Sequence, residues 1–107
     1  MENLLAFARV LSDETRYQMM LLLCCTEFSV TDLVKALEGR GISVSQPTVS
    51  HHLAELRDAN LVIVRKAGRQ TFYSLNQEQV TVCCGQLMTK FAPLVSIDQI
   101  PVRKSEN

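Results

Sequence analysis

The feature of this sequence that most limits its fold is a change in the spacing of apolar residues at residue 61. Before that point the apolar residues recur at helical spacing, whereas residues 61–64 (LVIV) form a β-branched run typical of a strand. A polar turn separates this run from residues 70–75 (QTFYSL), which return as a second strand. The sequence therefore predicts one β-hairpin, turning at Ala67 and Gly68, within an otherwise helical chain.

The first half of the chain predicts two helices in succession. Residues 2–11 form a short apolar helix, and Ser12 marks the start of a second helix, because a hydroxyl cap followed by two acids suits the positive end of a helix dipole. The second helix should run to about Cys25. Its apolar residues lie on nearly all sides, so we expect it at the centre of the fold.

Capping residues mark three further helix starts. Ser29 precedes the third helix, and Ser45 precedes the fourth, with Pro47 in the first turn, where no amide hydrogen is needed. Asn76 caps a last helix over roughly 77–91. The predicted order is therefore four helices, a hairpin and a final helix.

A chain of 107 residues fits one domain, and this order makes it mainly α with a small β-hairpin. We assign the domain to residues 1–92 and a polar tail to residues 93–107. No apolar run approaches the roughly 18 residues that cross a membrane, and the N-terminus lacks the basic start of a secretory signal. We therefore expect a cytoplasmic protein with no membrane partner, in which the four cysteines are thiols.

Charge is unevenly distributed along the chain, although the formal net charge is zero. Residues 1–39 carry three basic and six acidic side chains, whereas residues 40–73 carry five basic and two acidic ones. The middle third is therefore the stretch best suited to a polyanion such as DNA.

The fourth predicted helix combines an apolar stripe with a face of short polar side chains. At about 100° per residue, the stripe consists of Val49, Leu53 and Leu56. His51 lies opposite, with Thr48 and Ser50 on the flanks. Short polar groups let a helix lie deep in the major groove, and free amides at its start favour phosphate. The helix is a candidate for reading DNA bases; the alternative is an ordinary amphipathic helix.

Three cations surround the predicted hairpin turn: Arg65, Lys66 and Arg69. A cationic hairpin beside a DNA-reading helix can reach neighbouring phosphates or the minor groove. The alternative is a hairpin that is merely solvated.

The sequence contains four ordered blocks, LSDETR at 11–16, SQPTVSHHL at 45–53, LRDANLV at 56–62 and GRQTFYSL at 68–75. Together they resemble the ArsR/SmtB family of bacterial winged-helix repressors, over about residues 4–91. The resemblance implies a homodimeric winged helix-turn-helix protein in which the first and last helices form the interface. It also implies that two reading helices enter successive major grooves of an inverted repeat in operator DNA. By position it implies DNA contacts from Gln46, Thr48, Ser50, His51, Arg65, Lys66 and Arg69.

The sequence departs from the family pattern at two places. Asn60 stands where the family usually has Gly, and Asn also tolerates the left-handed conformation, so the turn can survive. The connection over residues 38–44 is longer than the usual link before the reading helix.

Many family members release DNA when a metal binds, but the positions of the common metal sites are not filled here. Ser29 and Thr31 occupy the region where one such site has cysteines, and hydroxyls are poor ligands for soft metals. Another such site uses acids and histidines on the last helix, and residues 77–92 offer Glu78 but no His or Asp. We therefore expect no zinc, nickel or cobalt site of the usual kind, and no cofactor.

The remaining candidates for sensing are four cysteines in two adjacent pairs: Cys24, Cys25, Cys83 and Cys84. Each could equally be a small buried hydrophobe. Adjacent Cα atoms lie about 3.8 Å apart, below the usual disulfide span of about 4.4–6.8 Å, and on an intact helix the side chains diverge by about 100°. A bond within the first pair would have to unwind the helix end, whereas a bond between the second and last helices would be less strained.

These observations favour a DNA-binding repressor whose operator binding is controlled by cysteine oxidation, with peroxide or reactive sulfur as the input. One alternative is a repressor that responds to arsenite or another soft metal through the cysteine pairs. Another is a winged-helix protein-interaction module, which does not need the polar face over residues 46–51. An enzyme is not expected, because there is no Cys-x-x-Cys motif and neither His lies near a Cys in sequence.

Overall fold

A computed structural model describes residues 2–95, which form five helices and one two-stranded hairpin in the predicted order. The elements are α1 (Glu2–Leu11), α2 (Glu14–Leu23), α3 (Val30–Gly39), α4 (Gln46–Asp58), β1 (Val62–Ala67), β2 (Gln70–Leu75) and α5 (Gln77–Phe91). The predicted mainly α fold with a β-hairpin is therefore confirmed. Most of the tail assigned to residues 93–107 lies outside the described residues.

Three of the predicted helix caps are confirmed. The side-chain oxygens of Ser29, Ser45 and Asn76 each accept a hydrogen bond from the backbone amide three residues ahead, at 3.2–3.3 Å. These bonds satisfy amides at the helix start that have no partner within the helix. Pro47 lies in the first turn of α4, as predicted.

The predicted cap of α2 was wrong by one residue. Asp13, in an extended conformation, accepts the amide of Arg16 at 2.9 Å, and α2 begins after it. Ser12 instead donates its hydroxyl to the carbonyl of Arg9 at 2.6 Å. Because α1 continues to Leu11, Ser12 falls where the carbonyls at the end of α1 need donors.

The second helix ends at Leu23 rather than near Cys25, with Cys24 as its C-terminal cap. The chain then turns towards the hairpin, where Phe28 and Tyr73 exchange two backbone hydrogen bonds of 3.0 and 2.9 Å. The Gln77 side-chain amide also donates to the carbonyl of Cys24 at 2.7 Å. These tertiary contacts stop α2 earlier than the apolar pattern indicated.

The hairpin is antiparallel, with a register that runs from Val62 opposite Leu75 to Ala67 opposite Gln70. Its connecting residues are Gly68 and Arg69, one position later than the predicted turn. Gly68 has φ +63°, a left-handed conformation that a Cβ disfavours. The turn that leads into β1 contains Asn60 at φ +60°, which confirms that Asn takes the conformation usually given to Gly.

The core lies between α2 and the elements that surround it. Its most deeply buried side chains are Met19, Leu23, Leu33, Leu37, Val49, Leu53, Leu56, Leu61 and Cys83. Because α2 contacts α1, α3 and β2, its predicted central position is confirmed. None of the helices within residues 2–95 combines the length and apolar character needed to span a bilayer.

Candidate nucleic-acid interface

Helix α4 presents the two faces that its sequence predicts. Val49 and Leu56 are fully buried, together with Leu53, whereas Ser50 and His51 lie at the surface. The His51 side chain is 73% exposed, so its ring is free to meet a partner. The face turned to solvent is therefore short and polar, which suits close approach to base edges.

Two exposed side chains at the start of α4 are held by neighbours. The Gln46 side-chain amide donates to the hydroxyl of Thr31 on α3 at 2.8 Å. The Ser45 hydroxyl, besides capping the helix, donates to the hydroxyl of Thr48 at 2.9 Å. These bonds order side chains before any ligand arrives, which lowers the entropic cost of binding.

Arg16, on α2, contacts both α1 and α4. Its guanidinium donates to the carbonyls of Arg9 and Val10 at the end of α1, at 3.0 and 3.3 Å, and to Glu55 of α4 at 2.8 Å. The Arg16 side chain is only 13% exposed and that of Glu55 is 39% exposed, so this ion pair is partly buried. The end of α1 and the middle of α4 are thereby connected through one side chain of α2.

Glu55 joins this pair to the histidines of α4. Its carboxylate lies 3.0 Å from Nδ1 of His52 and 3.8 Å from Nε2 of His51. The hydrogen bond with His52, and then the contact with Arg16, hold the pKa of Glu55 below its usual range. Glu55 therefore remains an anion beside the exposed ring of His51 at neutral pH.

The cations of the hairpin differ in whether they are free to contact a partner. Lys66 and Arg69 are exposed near the turn. Arg65 instead makes a bidentate ion pair with Glu27 of the α2–α3 connection, with both N···O distances 2.8 Å, and its guanidinium lies 4.9 Å from the ring centre of Phe72. Glu27 raises the pKa of Arg65, and Arg65 lowers the pKa of Glu27. A DNA contact from Arg65 stays a prediction, and its guanidinium already holds a carboxylate.

The first cysteine pair has a geometry that the sequence did not predict. We expected the side chains of Cys24 and Cys25 to diverge on an intact helix; instead their sulfur atoms lie 3.0 Å apart. The reason is that α2 ends at Leu23, so Cys25 is already outside the helix. The hydrogen bond with Cys25, with a smaller effect of desolvation, raises the pKa of Cys24.

The second cysteine pair is divided between core and surface. Cys83 is fully buried, with its sulfur 3.8 Å from the carbonyl oxygen of Asn3 on α1, and Cys84 is exposed. Burial raises the pKa of Cys83. Contact between α5 and Cys24 is made by Gln77, which precedes Cys83 by about 9 Å of helix. Within residues 2–95 no three His, Cys, Asp or Glu side chains are grouped so that they could hold a metal ion.

Comparison with known proteins identifies the family. A model described as "Bacterial regulatory protein, arsR family" matches residues 13–64, from the cap of α2 into β1. The arsenical resistance operon repressor of Staphylococcus xylosus is 39% identical over 77 residues, which cover 72% of this chain and 69% of that protein. This chain belongs to the ArsR family of bacterial regulatory proteins.

Solved structures show that the whole described fold is that of ArsR-family regulators. The ArsR-like transcriptional regulator from Rhodococcus sp. RHA1 superimposes with a TM-score of 0.72 at 26% identity, covering 86% of this chain and 82% of that one. HlyU from Vibrio cholerae gives a TM-score of 0.65 at 30% identity, covering 84% and 92%. The predicted winged helix-turn-helix architecture is therefore confirmed.

Two residues of this candidate site are absent from the predictions made from sequence. Thr31, considered only as a poor metal ligand, positions Gln46, and Glu27 holds Arg65 across 38 positions of sequence. Thr31 lies two residues after the capping Ser29, so its hydroxyl could have been considered. For Glu27 no local pattern indicates the partner, because the pair forms only when the α2–α3 connection crosses the hairpin.

Proposed function

We propose that this ArsR-family regulator is a transcriptional repressor that binds a specific operator in duplex DNA as a homodimer and releases it when its cysteines are oxidised. The observation that carries the proposal is the face of α4. Thr48, Ser50 and His51 are exposed on a helix whose opposite face is buried in the core. A helix anchored in this way can enter the major groove as a rigid unit.

Within this proposal the side chains have separate tasks. Gln46, Thr48, Ser50 and His51 meet base edges or the nearest phosphates. The exposed cations Lys66 and Arg69 contact the sugar-phosphate backbone, which contributes affinity without sequence preference. Arg65 positions the hairpin through Glu27 and reaches DNA only if that ion pair opens.

A homodimer is supported by the apolar surface of α1 and α5, which contact each other within one chain. Large apolar side chains on these helices remain exposed: Leu5 at 59%, Val82 at 50%, Leu87 at 38% and Phe91 at 79%. Such a surface is more apolar than solvent-facing helices usually are, and a second copy would cover it. The dimer would place two α4 helices about 34–36 Å apart, to read the halves of an inverted repeat.

Control by thiols is supported by the four cysteines, of which Cys25 and Cys84 are exposed and Cys24 is half-buried. Hydrogen peroxide or a reactive sulfur species is the proposed input. A second candidate input is trivalent arsenic, favoured by the 3.0 Å separation of the Cys24 and Cys25 sulfurs and by the relatives named arsenical resistance operon repressors. Oxidation is preferred because no third metal ligand is grouped with this pair within residues 2–95.

A gel mobility shift with the promoter upstream of the protein's own gene tests the proposal. The reduced protein should retard this fragment at a concentration that leaves a scrambled duplex of equal length free. Peroxide or polysulfide should release it, and arsenite and zinc should not. Release by arsenite alone would favour the second candidate input. Equal affinity for both duplexes would indicate a winged-helix module with another partner.

A further inference from the structure

The segment that follows α2 connects the first cysteine pair to two distant parts of the fold. The carbonyl of Cys24 accepts the side-chain amide of Gln77, at the start of α5. Three residues beyond Cys24, Glu27 holds Arg65 of β1, and Phe28 makes two backbone hydrogen bonds with Tyr73 of β2. A change of backbone conformation at Cys24 and Cys25 therefore acts directly on the hairpin and on α5.

The two sulfurs are already close enough to react with each other. Their separation of 3.0 Å has to shrink by about 1 Å to reach the S–S bond length of about 2.05 Å. Since α2 has ended at Leu23, this approach does not break the helical hydrogen bonds that an intact helix would lose. Cys25 is exposed, so a small oxidant can reach it.

We propose that Cys24 and Cys25 close a reversible disulfide with each other, and that this bond displaces the hairpin through Glu27 and Phe28. The proposal deepens the control by cysteine oxidation proposed above, on whose repressor function its effect on DNA rests. It assigns the switch to one adjacent pair and leaves Cys83 and Cys84 outside it.

The bond forms in two balanced steps with hydrogen peroxide as oxidant. The thiolate of one cysteine attacks a peroxide oxygen, the O–O bond breaks, and a sulfenic acid forms. The hydroxide that leaves takes up the proton that the thiol had released, which gives one water. The sulfur of the neighbouring cysteine then displaces hydroxide from that sulfenic acid, and its proton completes a second water. Two thiols and one peroxide thus give one disulfide and two waters, with two electrons passing from sulfur to oxygen.

Ring closure must change the backbone because the two Cα atoms are adjacent. They lie about 3.8 Å apart, less than the usual disulfide span of about 4.4–6.8 Å, and the peptide bond between them resists twisting. The distortion therefore falls on the dihedral angles of Cys24 and Cys25. Thr26 is then the only residue between this distortion and Glu27, whose carboxylate positions the hairpin.

The raised pKa of Cys24 lowers the fraction of this cysteine that is present as thiolate at a given pH. A thiolate is the nucleophile, and the hydrogen bond with Cys25 keeps Cys24 protonated to higher pH than an isolated thiol. The rate of disulfide formation should therefore rise with pH.

Peptide mapping after peroxide treatment of the whole protein tests the covalent step. Trypsin releases residues 17–35, which contain Cys24 and Cys25 and neither of the other cysteines. This peptide should lose the mass of two hydrogens and recover it with dithiothreitol, in the wild type and in the Cys83→Ala, Cys84→Ser variant. A bond that joins this peptide to Cys83 or Cys84, or oxygen added to its sulfurs without loss of hydrogen, would overturn the proposal.

Hydrogen exchange tests the displacement of the hairpin without any DNA. The amides of Phe28 and Tyr73, which bond to each other's carbonyls, should exchange several-fold faster after oxidation, whereas the amide of Val49, bonded to the carbonyl of the capping Ser45, should not change. Disulfide formation with unchanged exchange at Phe28 and Tyr73 would refute the coupling, whether or not the protein binds DNA.

Measuring affinity for the promoter then tests the thiol switch and the repressor function independently of each other. Oxidation should lower affinity for the protein's own promoter about 5- to 150-fold. Glu27→Gln should reduce the ratio of the affinities of reduced and oxidised protein for the promoter. The control Glu38→Gln, at an exposed position on α3, should preserve this ratio. If reduced protein fails to bind the promoter while the bond and the faster exchange are seen, the repressor function fails and the thiol switch stands. An unchanged ratio in Glu27→Gln would refute transmission through Glu27.

Discussion

Replacing Glu55 by Gln tests whether the ion pair with Arg16 fixes α4 in place. The substitution keeps the size of the side chain and removes its charge. It leaves the guanidinium of Arg16, only 13% exposed, without the carboxylate that it contacts at 2.8 Å. The two carbonyls at the end of α1 remain as acceptors, so Arg16 keeps part of its hydrogen bonding.

The expected loss of folding stability follows from the partial burial of the ion pair between Arg16 and Glu55. Exposed pairs contribute about 0.2–1 kcal/mol, and breaking a fully buried pair costs about 3–5 kcal/mol. Because the Glu55 side chain is 39% exposed, we expect a loss between these values, about 1–2 kcal/mol. For a domain of this size that lowers Tm by roughly 4–16 °C.

The pH dependence has a defined sign. The pKa of Glu55 is lowered on folding, mainly by His52 and then by Arg16, so its contribution is present above the pKa of the unfolded chain, about 4.3. It is lost as pH falls through the lower pKa of the folded state. The difference in Tm between wild type and Glu55→Gln should therefore be large at pH 7 and shrink below about pH 4.

Thermal melts of Arg16→Gln, Glu55→Gln and the double variant complete the test, with Glu38→Gln as the control for loss of an exposed carboxylate. The double-mutant cycle should give a coupling of about 1 kcal/mol between Arg16 and Glu55. A coupling near zero, or a Tm difference that does not change with pH, would show that the ion pair does not hold α4.

Three further predictions concern DNA, the dimer and the turn before β1. His51→Ala should weaken operator binding by about 1–3 kcal/mol and relax its sequence preference, whereas Arg69→Ala should weaken binding to all duplexes and lower the salt slope by about one, as measured by fluorescence anisotropy at several salt concentrations. Equal losses on operator and scrambled DNA for both variants would contradict these roles. Phe91→Ser should convert the dimer into a monomer at micromolar protein concentration, as measured by light scattering. A wild-type protein that is already monomeric at this concentration would refute the interface. Asn60→Val should lower stability by about 1–2 kcal/mol, because φ is +60°, whereas Asn60→Gly should change it little; equal urea midpoints for the two variants would argue against strain at this turn.

Local signals in the sequence were enough for most of the fold. Ser29, Ser45 and Asn76 cap helices as predicted because capping depends on one side chain and an amide three residues away. Ser12 failed as a cap because two helices compete for it, and the end of α1 takes its hydroxyl. Which of two adjacent polar residues caps a helix depends on where the preceding helix stops.

In the candidate site, too, the features that depend on local sequence were predicted and those that depend on tertiary contacts were not. The exposure of Ser50 and His51 followed from helical periodicity, since α4 is amphipathic on its own. The meeting of the Cys24 and Cys25 sulfurs did not, because it depends on where α2 stops, and distant parts of the chain decide that. Pairs such as Arg65 with Glu27 need the tertiary fold before they exist, and periodicity carries no information about them.

The backbone bonds between Phe28 and Tyr73 also bear on association between copies of this protein. A two-stranded hairpin has two open edges, and its exposed Ile63 and Val64 would favour pairing with a strand from another molecule. Phe28 covers part of the outer edge of β2. The edge of β1 carries the exposed cation Lys66, which repels the same cation of a second copy, whereas Arg65 is paired with Glu27. The hairpin can thus extend into solvent while resisting the edge-to-edge association that leads to aggregates.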